Sequence, residues 1–165
     1  MRTRNRKWLW NILLGILLSA TLCFIWGNSL LSREDSAELS GWVTEWLTQF
    51  TENLSLKQPD EHVLRKLAHF GEFALLGLEL AGLFFLNRGR AFKSACLSAL
   101  CALAAASADE TIQLFSGRAA MLKDVLLDFA GALTGILLLW FLTARRNKNR
   151  AQTIQKDGLC AIKKI

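Results

Sequence analysis

Formal charge is missing from long stretches of the chain, paired cysteine motifs are absent, and acidic residues are almost missing from one set of its charged segments. Each shortage narrows what the protein can be. The four cysteines (Cys23, Cys96, Cys101 and Cys160) include no CxxC, so neither a disulfide framework nor a metal knuckle is expected. Three of them fall in apolar segments, where cysteine reads as a small packing residue. No glycine-rich nucleotide loop is present. Trp8 to Ser32 runs 25 residues without a formal charge, and about 20 apolar residues suffice to cross roughly 30 Å of hydrocarbon. Hydrophobic residues make up 52% of the 165 and mean hydropathy is +0.27. Too little polar surface remains for an ordinary soluble domain.

The expected fold is therefore all-α, an integral membrane bundle of four transmembrane helices over about 8–31, 67–87, 94–115 and 123–144. Of the 20 Lys and Arg, 14 lie in residues 2–7, 88–93 and 145–164, whereas Asp157 is the only one of the 14 acidic residues there. In a four-span arrangement those segments share one side, which positive-inside bias makes cytoplasmic. Both termini are then cytoplasmic: a basic N-terminus at 1–7 and a basic tail at 145–165, polar and poorly ordered from Asn147 onward. The first span reads as an uncleaved anchor, too long for a signal-peptide core. These basic clusters are juxtamembrane and form no groove with exposed aromatics, so the expected partner is the lipid bilayer, not nucleic acid.

Between the first two spans, Leu39, Trp42, Val43, Trp46, Leu47, Phe50 and Leu54 recur at helical spacing. That predicts an amphipathic interfacial helix in the first extracytoplasmic loop; packing on the outer ends of the spans would use the same pattern. Small residues dominate the third span (ALCALAAASA), and Gly131 and Gly135 form a GxxxG spacing in the fourth. Both permit close helix approach, within the chain or in a homo-oligomer.

The informative residues are polar ones at the span ends. Lys66, His69 and Glu72 follow at three-residue intervals, with Glu79 seven residues later; at 100° per residue all four fall within about 140° of arc. Ser94–Ala108 offers only 15 uncharged residues before Asp109 and Glu110. That is about 22 Å of helix, short of a ~30 Å core, so the acids and Gln113 lie inside the outer leaflet. In the fourth span Asp124 and Asp128 share a stripe with Gly131 and Gly135, within about 60°, and so point into the bundle. Lys66, His69, Glu72, Asp109, Glu110, Gln113, Arg118, Asp124 and Asp128 can thus gather in one extracytoplasmic pocket. Charges at such depth persist when they pair, reach water or act. Lys66, Lys123 and Asp124 read best as interfacial residues that snorkel and pair and so hold the helices in register, and Glu79 as either a protonated core residue or a ligand group.

KLAHFGEFALLGL resembles the second-span signature of VanZ-like membrane proteins, and DETIQLFSGRAAMLKDVLLDFAGALTG is similar to that family's second signature. WGNSLLSREDSAELS is similar to the Ser-rich segment after its first span, so the likeness covers roughly residues 24–138. Asp128 stands where the family often has Asn, and no proline precedes Gly117. The resemblance implies a bacterial, multi-pass cell-membrane protein, in a family whose named member is associated with resistance to the glycopeptide teicoplanin. A phosphotransbutyrylase activity attached to some relatives finds no nucleotide loop here.

Three functions follow as expectations. In the first, the pocket recognises a lipid-linked or glycopeptide envelope ligand, with Lys66 and Arg118 holding phosphate or carboxylate. The carboxylates and Gln113 would accept amine or hydroxyl hydrogens. In the second, the protein is a membrane enzyme with His69 as acid or base, oriented by Glu72 or Asp109. The third, a proton-coupled carrier, is disfavoured by four spans with no polar group in the inner half. HxxE recurs freely in helices and no second histidine lies near His69, so no metal or other cofactor is expected.

Overall fold

The computed structural model describes residues 2–30, 61–115 and 121–162. All secondary structure among them is helical: α1 (Arg2–Leu30), α2 (Glu61–Arg88), α3 (Phe92–Phe115) and α4 (Leu122–Ile162). Each helix contains one segment long and apolar enough to span a membrane: Lys7–Leu30, Lys66–Arg88, Phe92–Phe115 and Leu122–Ala144. These agree with the expected spans to within two residues. The predicted loop helix and Arg118 lie outside the described residues.

α2 is the central helix. It packs against α1, α3 and, most extensively, α4. α2 and α4 run parallel, because Gly131 meets the backbone of Phe70 and Gly135, one turn on, meets that of Ala74. Gly77 lies against Ala132 in the same seam, and a Cβ on any of the three glycines would overlap a backbone carbonyl oxygen. The GxxxG spacing is thus taken up inside the chain. α3 contributes its own small-residue stripe, with Ser94, Ser98, Ala102 and Ala106 buried at every fourth position, and Glu110 continues the spacing. Phe73, Leu76 and Leu80 of α2, Ile25 of α1 and Ala132 of α4 complete a thin core. Large side chains such as Ile16, Phe24, Leu100 and Phe141 point outward, as expected when lipid is the solvent.

α1 has little of its span buried (11%), yet polar rungs tie it to its neighbours at three depths. Asn11 and Asn87 exchange reciprocal 3.0 Å amide hydrogen bonds at one end. Thr21 donates to Glu79 at 2.9 Å near mid-span, and Ser29 donates to Asp109 at 2.7 Å at the other end. The short link from α2 to α3 turns on Gly89, whose φ of +78° is left-handed backbone that favours glycine. Its N–H closes α2 on the Phe85 carbonyl at 3.0 Å. Arg90 then lies over the Trp140 ring, 4.9 Å from its centroid.

Two expectations are corrected. α4 continues to Ile162 where a poorly ordered tail was expected; from Ala144 to Asp157 the sequence has neither proline nor glycine and many straight-chain helix formers. Cys23, Cys96 and Cys101 are exposed free thiols on the outer surface of the bundle, not packing residues between helices.

Candidate functional site

The site lies where α1 and α3 end and α2 and α4 begin, opposite the end bearing Arg88 and Arg90. Antiparallel alternation of the spans brings these four helix ends together. The helical stripes then decide which side chains face inward.

His69 stands at the centre. Its Nε2 is 3.1 Å from Asp109 Oδ2, and its Nδ1 is 3.2 Å from Glu72 Oε2. The second contact has ion-pair distance without hydrogen-bond alignment. Asp109 is fully buried and is held from three sides, since Gln113 Nε2 also donates to Oδ2 at 2.8 Å and Ser29 donates to Oδ1. Gln113 approaches Ser29 Oγ at 3.3 Å as well. Asp128 enters from α4 with 1% exposure. One oxygen of Asp128, one of Asp109 and one nitrogen of His69 lie within 4.8 Å of one another. Among the described residues neither Asp128 oxygen has a hydrogen-bond donor.

Other predicted residues occupy the periphery. Lys66 and Asp124 form a 2.7 Å ion pair between α2 and α4, with both side chains partly exposed. Glu110 turns toward the start of α4, where its Oε1 accepts the Met121 N–H while Oε2 is buried with no donor among the described residues. It also borders an open groove of about 270 Å³ between α3 and α4, walled by Thr111, Leu114, Met121, Leu122 and Val125. Glu79 lies apart from the cluster, two helical turns beyond Glu72, and is nearly fully buried beside Thr21.

The structure therefore brings His69, Glu72, Asp109, Gln113 and Asp128 into one cluster. It sets Glu110 at the cluster's edge and Lys66 with Asp124 at the rim. Two contributors are not singled out by the sequence reading: the Ser29 hydroxyl, which lies in the Ser-rich segment WGNSLLSREDSAELS, and the Met121 N–H. With both ring nitrogens facing carboxylates, His69 presents neither to a substrate as an open general base. The arrangement is instead a dense set of acceptors, able to receive cationic or hydroxyl groups.

Residues 6–143 match the family described as VanZ/LLP1, and the chain belongs to that family. No curated protein and no solved structure matched it.

Proposed function

We propose that this member of the VanZ/LLP1 family recognises an amphiphilic or lipid-linked envelope ligand at an outward-facing polar pocket, contributing in its cell to glycopeptide (teicoplanin) resistance. The observation that carries the reading is the buried cluster of His69, Glu72, Asp109, Gln113 and Asp128 at the bundle end away from Arg88 and Arg90. Charged groups at such depth are costly and mark binding or transport sites. The groove beside Glu110 adds an apolar wall adjoining a carboxylate, the pairing an amphiphile requires: alkyl chain against Leu114 and Val125, polar head toward the acids. Lys66, partly exposed at the rim, and Arg118 supply cations for phosphate or carboxylate. Recognition is favoured over acid–base catalysis because both His69 nitrogens already face carboxylates.

The test is a set of single substitutions, His69→Ala, Glu72→Ala, Asp109→Ala and Arg118→Ala, scored by teicoplanin susceptibility with membrane abundance as control. Loss of resistance at equal abundance is expected. Full resistance in all four variants at equal abundance rejects the pocket. Native mass spectrometry separates the remaining readings: a retained lipid supports recognition, and a ligand converted over time indicates an enzyme.

A further inference from the structure

We infer that His69, Asp109 and Asp128 form an intramembrane site for one divalent transition-metal cation of the Zn²⁺ or Mn²⁺ type, with Glu72 as the positioning residue for His69. The inference is independent of the ligand reading, because metal binding is measured on the protein alone.

The geometry has three parts. First, donor atoms of the three residues lie within 4.8 Å of one another, and the His69 Nε2 to Asp109 Oδ2 separation is 3.1 Å. Two ligands each about 2.1 Å from a cation, at roughly tetrahedral to right angles, stand about 3.0–3.4 Å apart. Asp128 then needs to draw in by no more than about 1.8 Å to reach those separations. Second, Asp128 is a carboxylate at 1% exposure with no donor on either oxygen among the described residues. A buried charge of this kind demands a partner, and it faces a second buried carboxylate and an imidazole. A divalent cation offsets the negative charge of the two aspartates. Third, the surrounding contacts match those that orient metal ligands. The second nitrogen of His69 faces the Glu72 carboxylate, and Asp109 is fixed by Ser29 and Gln113. A metal-bound histidine characteristically gives its other N–H to a carboxylate, and metal-bound carboxylates are themselves hydrogen-bonded. One imidazole with two carboxylates suits Zn²⁺ or Mn²⁺ better than an all-oxygen cation such as Ca²⁺.

The full-length protein is purified in detergent without chelator, and its metal content is measured by mass spectrometry of the elements. A chelator-treated sample is then titrated separately with Zn²⁺ and with Mn²⁺. The expected result is close to one equivalent of metal and one saturable site. Asp128→Asn and Asp109→Asn should weaken binding at least about 10-fold, and Glu72→Gln by about 10–100-fold. Thr134→Val, on the exposed face of α4 away from the cluster, should bind as wild type. X-ray absorption on the metal-loaded wild-type protein guards against variants that misfold: a nitrogen and oxygen shell with one imidazole supports the site. A sulfur-containing or imidazole-free shell overturns it. So does wild-type protein with no saturable binding of either cation, or an Asp128→Asn protein that binds as tightly as wild type.

Discussion

At the scale of single residues, the cluster is ordered by how each polar group finds its partner. Asp109 accepts from Ser29 and Gln113 and faces His69, all from full burial. Removing its carboxylate strands those groups at once, and loss of one member of a buried pair costs about 3–5 kcal/mol. Asp109→Ala should therefore lower denaturation stability in detergent by about 3 kcal/mol, whereas Ser29→Ala, which deletes the hydroxyl that donates to Asp109 and accepts from Gln113, should cost about 1 kcal/mol. Equal, small effects would mean that Asp109 is not the anchor. The acids and His69 were legible in the sequence because charge in an apolar run is conspicuous and a 100° step gives its direction. Ser29 was not. Ser19, Ser98 and Ser107 all donate to the carbonyl four residues back, and nothing in the sequence distinguishes a serine that satisfies itself from one that reaches another helix. The mid-span Glu79 was ambiguous for a related reason: its partner Thr21 lies 58 residues away on another helix.

At the scale of helices, two devices hold the bundle, and they respond to different substitutions. Between α2 and α4 the device is shape: Gly77, Gly131 and Gly135 permit backbone contact that no side chain allows. Gly131→Leu or Gly135→Leu should abolish the folded protein, read as loss of a monodisperse peak on gel filtration. Gly27→Leu, with nothing within 4 Å of the new Cβ, should leave that peak in place. Between α1 and the rest the device is polar. The span of α1 carries apolar residues on every side, so hydropathy singles out no face, and the rungs at Asn11, Thr21 and Ser29 fix its register. At about 0.6 kcal/mol per membrane hydrogen bond, replacing all three by alanine, which removes five such bonds, should lower stability by about 3 kcal/mol. A loss indistinguishable from zero would assign α1's placement to packing alone. Span number and span limits were readable from hydropathy because lipid imposes length directly. Which helix sits centrally was not, since all four spans are apolar and small residues occur in both α3 and α4. The end of α4 escapes a reading by polarity, because a basic segment outside the bilayer looks irregular even when its residues are good helix formers.

At the scale of the whole molecule, everything proposed about the ligand depends on which way the bundle faces. The structure has a polar end, with His69, Asp109 and Asp128, and a basic end, with Arg88 and Arg90 beside Trp140. Hydropathy alone fits either orientation. The discriminating quantity is the charge of short connecting segments, since Lys and Arg near span ends are retained in the cytoplasm while acidic residues contribute little. That rule leads one to expect residues 88–93 and 145–164 on the cytoplasmic side and residues 31–60, in which acidic outnumber basic residues, outside. A fluorescent protein fused after Ile165 should fluoresce, and alkaline phosphatase fused at the same point should be inactive. Alkaline phosphatase inserted within residues 31–60 should be active. The inverse pattern would place the polar cluster at the cytoplasmic face, where a glycopeptide acting outside the cell cannot reach it. The envelope-ligand reading would then fail, while the metal site, which depends only on the bundle's interior, would still stand or fall on its own measurement.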